Sequence, residues 1–327
     1  MEPAPTPIPT SRIVEPSMRV NALYQMALGI SMNRNVPQRV YGDLRFTLGV
    51  VRDGVYQPSL KLANGDFDLA YAVAQGDLDV AAINPSAFLS MAYRGTGPYT
   101  KALPLRTVAV MPSLDVMLFA VSEGTGLSSI TEIREKKYPL KVSVRRSAIH
   151  GTRFVVDQVF QANGFSLKDL ESWGGSIHYA DGPFDENRLE RVRDRTLEAV
   201  FDEGVRGWAP LALENGMRFL DLDPASRGQL KDAGWAVVPV QTALPEVKDQ
   251  IMCPSFSGWP IFTREALSAD IAYLLVQSLE EAGDRMAWDT EDRVTLADVC
   301  RGTEAAPFDV PLHPGAERYY RERGYLR

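Results

Sequence analysis

"LKVSVRRSAIHGTRFVVDQVF" (residues 140–160) decides the fold. Leu140, Val142 and Val144 alternate with Lys141 and Ser143 and lead into a polar stretch, and an apolar-periodic run follows, closed at Asn163-Gly164. This is a strand, a loop and a helix in immediate succession. The first N–H groups of such a helix lack intrahelical acceptors and carry partial positive charge. Gly151 permits close approach to the backbone. Thr152 can cap the helix or bond a ligand, and an arginine offers a planar fork that matches a carboxylate. The stretch fits an anion site in outline. It also fits an ordinary strand-to-helix turn with two surface arginines.

The same alternation recurs outward from this point. "LRFTLGVV" (44–51) reads as a buried strand, with "RDGVYQP" after it as a loop. "DFDLAYAVAQGD" (66–77) reads as a helix ending at Gly76, and "LDVAAINPSA" (78–87) as a short strand stopped by Asn-Pro. "LRTVAVM", "DVMLFAVS", "MRFLDLD" and "WAVVPV" read as further strands. "ENRLERVRDRTLEAVFDEG" (186–204) reads as a charged helix whose Glu/Arg pairs form a solvated face. Strands alternating with helices predict an α/β protein with mainly parallel sheets.

The chain has 327 residues, enough for two domains. Hydrophobic residues make up 45% and charged ones 24%, the balance of a globular protein. A net charge of −7 with no basic stripe argues against a nucleic-acid partner. No stretch reaches the roughly 18 apolar residues of a membrane span. The Pro-rich residues 1–17 read as a flexible tail. Ala22, Leu23, Met26, Ala27 and Ile30 recur at helical spacing, which predicts an extra amphipathic helix within 18–40 that packs on the body. No export signal is read in the segment. Cys253 and Cys300 are either a disulfide or two buried thiols.

The order of these elements resembles the type II periplasmic-binding-protein fold, and in detail the TAXI family, the solute-binding subunits of TRAP transporters. "AQGDLDVAAINPSA" (74–87) is similar to the family's helix-to-strand segment. "LKVSVRRSAIHGTR" (140–153) looks like its strand with a G-S-G-T-R-like turn. "LEAVFDEGVRGWAPLALENGMRFLDLD" (197–223) resembles its dG-x-x-D-A strand and following helix, and "PLHPGAERYYRERG" (311–324) its C-terminal helix. The family's Gly-rich loop after the first strand is "GVVRDGVYQP" here, matching only at Gly54 and Tyr56.

The resemblance implies a fold of two α/β lobes with a ligand cleft between them: residues 41–122 and 241–327 as lobe 1, and 123–240 as lobe 2. It implies a small organic anion, a carboxylate, as ligand, and membrane transporter subunits as partners of a monomer. Arg52, Asp53 and Tyr56 are expected on one lip. Asn84 and Ser86 are expected at a neighbouring strand end, and Ser113 near the crossover. Arg145, Ser147, His150, Gly151 and Thr152 are expected on the opposing lip, with Asp202 reaching in from another strand. An arginine from each lobe would suit a dicarboxylate.

No catalytic constellation is read. The sequence around Ser257 lacks the first Gly of a nucleophile elbow, and Ser147 and His150 have no orienting acid. No metal spacing and no cofactor motif is found. A binding protein is expected, periplasmic by resemblance. An intracellular enzyme or ligand sensor on the same fold, acting on an organic or aromatic acid, is the competing reading.

Overall fold

The first sheet opens with a hairpin. Strand β1 (Arg45–Arg52) turns through Asp53 and Gly54 into β2 (Val55–Gly65), which runs antiparallel to it. Both turn residues have positive φ, 52° and 73°, as in the two-residue turns that Asp-Gly favours. The expected loop at 52–58 is therefore a tight turn and the start of a long strand. The computed structural model describes residues 44–283 and 294–327, with Arg19, Ala22, Leu23 and Met26 helical ahead of them. Leu23 and Met26 are 67% and 62% exposed, so the expected packing of this helix on the body is not found at these positions.

After the hairpin, helix α1 (Leu69–Gln75) is closed by Gly76, which adopts the left-handed conformation and donates its N–H to Val73 O. Strand β3 (Val80–Ile83) lies parallel to β2. Helix α2 (Ser86–Arg94) and strand β4 (Leu105–Met111) complete the first pass. The chain then crosses to a second sheet. Strand β5 (Leu118–Ser122), helix α3 (Ile130–Glu135), β6 (Lys141–Arg145), α4 (Gly151–Ala162), α5 (Leu167–Ser172), β7 (Ser176–Ala180), α6 (Glu186–Arg193), β8 (Ala199–Asp202), α7 (Ala209–Glu214), β9 (Met217–Phe219) and α8 (Pro224–Ala233) build it. A ribbon of β10 (Val237–Pro239) and β11 (Met252–Pro254) leads back to β12 (Trp259–Arg264) in the first sheet. Helices α9 (Ala269–Ala282), α10 (Leu296–Cys300) and α11 (Pro314–Glu322) finish the chain.

The strand orders are β1-β2-β3-β12-β4 and β7-β6-β8-β5-β9. Each sheet holds, next to its last strand, one strand delivered by a crossover. β12 is antiparallel to β3 and β4, and β5 is antiparallel to β8 and β9. Among the described strands, β2–β3, β6–β7 and β6–β8 pair in parallel, and Thr107 of β4 makes a single parallel bridge to Leu312. The sheets are thus mixed, not mainly parallel as expected. The result is a two-lobed α/β fold with strand exchange, the architecture that the motif order implies. Leu118–Ser122 belongs to the second sheet, so sheet membership changes between Met111 and Leu118 rather than near residue 122.

The two crossing segments pair with each other. Met117 N donates to Pro254 O (2.9 Å), Phe256 N donates to Asp115 O (2.8 Å), and Val116 bridges Ser255. One apolar cluster runs through both lobes, from Phe88 and Met91 to Phe119, Phe160 and Phe201. A second lies behind the second sheet around Trp208 and Val240. A third seats α11 on the first sheet, where the Tyr320 hydroxyl donates to Val108 O (2.9 Å).

The charged helix expected over 186–204 ends at Arg193. Arg195 takes a left-handed conformation, φ 55°, and the β-prone residues Val200 and Phe201 that follow form buried β8. Its face is not all solvated either, because Arg188 is fully buried.

Candidate ligand site at the lobe junction

Strand β6 delivers the loop 146–150 to the amino end of α4. His150 caps that helix: its Nδ1 accepts from Thr152 N (3.2 Å) and lies 3.0 Å from Thr152 Oγ1. An accepting Nδ1 requires an unprotonated nitrogen. Burial, and then the charge of Arg145, hold the imidazole neutral and bring its pKa down to about 3. Gly151 and Thr152 are buried behind this cap. Gly151 packs against the other lobe, and a Cβ there would lie 2.4 Å from Phe88 Cε2 and 3.3 Å from Phe256 Cζ.

Phe88 belongs to an aromatic wall. Its ring stacks on Phe67 (5.0 Å between centroids) and meets Trp235 edge-on (5.2 Å) and Phe154 (5.9 Å). Trp235 in turn stacks on Phe256 (6.0 Å). Its indole N–H donates to Gln158 Oε1 (3.0 Å). The sequence does not single these residues out, because they come from five separate segments.

Arg145 does not present a free fork. It is buried, and its Nη2 donates to Asp202 Oδ1 (3.1 Å) and to Glu203. Arg188 donates to the second oxygen of Asp202 and, through Nε, to Ser143 Oγ (2.9 Å). Asp202 also accepts from Glu203 N (2.9 Å). Burial would push the Asp202 carboxyl up, but Arg145 and Arg188 outweigh it and hold it below the usual range. Next to this group, burial and the neighbouring Glu203 push Asp115 well above the usual carboxylate range. Asp115 accepts N–H groups from Gly204 (2.7 Å) and Val205 (3.3 Å). Asp202 and Glu203 thus meet the guanidinium groups of Arg145 and Arg188 in one buried cluster.

Asn84 and Ser86 sit at the carboxyl end of β3. Asn84 Oδ1 and Ser86 Oγ are buried and make no hydrogen bond. Ser113 is buried in the first crossing, where its carbonyl accepts from Gly258 N (3.0 Å). Ser147 is exposed. Arg52, Asp53 and Tyr56 fall elsewhere. Gly65, the last residue of β2, pairs with Ile83, beside Asn84. Strand β2 spans 11 residues, roughly 35 Å of extended chain. The hairpin turn therefore lies at the opposite end of the sheet from the junction. The expected lip is displaced because a hairpin replaces the strand-loop-helix unit that would have put it there. Among the described residues no three His, Cys, Asp or Glu groups converge on a metal position. Cys253 and Cys300 are separate buried thiols.

No protein-family model matches the chain. Three of the solved structures to which the chain is similar illustrate the likeness. One is the alkanesulfonate-binding protein SsuA from Xanthomonas axonopodis pv. citri bound to MOPS, at 14% identity over 66% of this chain and 57% of that one, with a TM-score of 0.32. Another is the glycine betaine/L-proline-binding protein ProX from Borrelia burgdorferi, at 15% identity over 63% and 64%, TM-score 0.38. The third is a Xanthomonas citri protein bound to chloride, at 12% identity over 79% and 80%, TM-score 0.40. The chain spans less than two thirds of the first two proteins. Likenesses of this size leave the ligand of this chain to its own residues.

Proposed function

We propose that this chain is a solute-binding protein that holds a small organic acid between its lobes, of the TAXI type that serves TRAP transporters. The observation that carries the reading is the meeting of the α4 amino end, at Gly151, with the Phe88 ring of the other lobe. Rotation about the paired crossings 115–117 and 254–256 opens that contact. The surfaces that face each other are then a helix amino terminus, suited to a carboxylate, and the stacked rings of Phe67 and Phe88, suited to an apolar body. The ligand class is therefore a carboxylate with an apolar or aromatic body. Arg145 serves it as a positioning residue, fixing the end of β6 through Asp202 and Glu203. A dicarboxylate gripped by one arginine from each lobe loses its support, since Arg52 is at the far end of the first sheet.

Thermal-shift assays with benzoate, phenylacetate, succinate and acetate test the reading. A rise in melting temperature with the aromatic acids, lost in Phe88→Ala, supports it. A response confined to succinate, or no response to any acid, overturns it.

A further inference from the structure

A second site lies beside the aromatic wall. Trp235 and Phe256 are buried in the core, and their flanking residues Gly234, Ala236, Ser255 and Ser257 line a cavity of about 200 Å³. Helix α2 closes it from one side and the segment 307–309 from the other. On α2, Ser86 and Ser90 share the cavity face, whereas Phe88 lies on the opposite face, toward the lobe junction. The cavity borders the crossing at Ser255 but lies on the side of α2 away from Phe88, and the inference drawn from it does not rest on the function proposed for the junction.

Its chemistry is neutral and mixed. Ser86 is 5% exposed, lines the cavity, and its hydroxyl has no partner. The α2 amino end beside it has no side-chain cap, and its first N–H, of Ser86, donates to Ser257 O (3.3 Å). Opposite, Asp309 accepts from Ser90 and from Arg94, which offsets its charge and leaves further lone pairs. Phe308 and Pro307 add an apolar wall. A free anion would face the Asp309 carboxylate with no unpaired cation in the cavity lining. A neutral ligand rich in hydroxyl groups finds donors, acceptors and an apolar surface together. The volume falls below the roughly 300 Å³ of drug-sized pockets, which limits the ligand to a small one.

We infer that this cavity binds a small polyol or monosaccharide, with hydroxyl groups bridging Ser86 and Asp309 and the carbon face against Phe308. Saturation-transfer NMR with glycerol, D-ribose and D-glucose tests it on the full chain. Transfer to at least one of the three is expected. Asp309→Asn, at an exposed position that leaves folding intact, should weaken it about tenfold, as loss of a hydrogen bond to a charged group does. Ser90→Leu, which fills the cavity, should abolish it. The inference fails if no ligand receives transfer from the wild type. It also fails if Asp309→Asn binds as well as the wild type, or if acetate displaces the bound polyol.

Discussion

Gly151 and Phe88 come from opposite lobes and touch so closely that a methyl group cannot be inserted between them: the Cβ position of Gly151 is 2.4 Å from the ring. Gly151→Ala must therefore push the lobes apart or move the ring. We expect a loss of about 1–3 kcal/mol, the usual cost of overpacking, read as a lower urea midpoint. Small-angle scattering should show a larger radius of gyration. An unchanged midpoint would mean that the junction is loose.

Phe88→Ala removes the ring at the centre of the wall. It should cost about 3–5 kcal/mol, as large-to-small aromatic changes in a core do. The remaining rings of Phe67 and Trp235 lose their shared partner, which predicts a changed near-ultraviolet circular dichroism signal from Trp235. A loss below about 1 kcal/mol would argue that the wall collapses into the space.

Asp202 and Arg188 are both fully buried and paired. Arg188→Met alone strands a carboxylate and should cost about 3–5 kcal/mol. The double change Arg188→Met with Asp202→Leu should cost less than the sum of the two single changes, because neither charge is left without its partner. Chemical denaturation of the three variants gives the coupling energy, and strict additivity would rule the pair out as a unit.

Acid sensitivity has opposed sources, and His150 and Asp115 represent one of each sign. His150 has a folded pKa of about 3, against about 6.5 in an unfolded chain. The unfolded state takes up the proton first, so stability falls as pH drops from about 6.5 toward 3, by at most about 1.4 kcal/mol per pH unit for one proton. Asp115 has its folded value raised. Its contribution is present at low pH and is lost as pH rises through that value. His150→Asn, which keeps a helix cap, should flatten the first slope, and Asp115→Asn the second. Urea midpoints followed from about pH 4 to pH 8 separate them. Parallel curves for His150→Asn and the wild type would remove His150 from the account.

Burial pushes both thiols up, Cys300 to about 11 and Cys253 further. Neither should react with a thiol-specific dye near neutral pH in the folded protein, and both should react in guanidinium. Rapid labelling of native protein at either position would contradict their burial.

Local signals carry several elements of the fold. The β6-to-α4 unit, β3 with its Asn-Pro stop and the C-terminal helix at Pro314 all sit where apolar period and capping chemistry put them. Asp53-Gly54 is a hairpin signal that strand-helix alternation overrode. Residues 199–202 were absorbed into a helix because charged pairs at helical spacing run up to Arg195. Other features could not be read locally. Arg145 looks like a ligand fork until Asp202 and Glu203, 57 and 58 residues away, close on it. The wall of Phe67, Phe88, Phe154, Trp235 and Phe256 exists only once two lobes meet. The antiparallel insertions of β5 and β12 follow from where the crossings lead, and no residue in either strand announces its partner.

The exchange of strands bears on how the molecule is made. The second sheet is drawn wholly from residues 118–219 and can close as soon as that stretch has left the ribosome. The first cannot, because β3 and β4 flank a slot filled only by β12. About 150 residues separate Met111 from Trp259, on the order of ten seconds of translation. For that interval two nascent strand edges stay open beside an apolar groove. The later-encoded lobe should therefore mature first and offer the earlier one a template, and a chaperone should be met by the amino-terminal half rather than the carboxyl-terminal one.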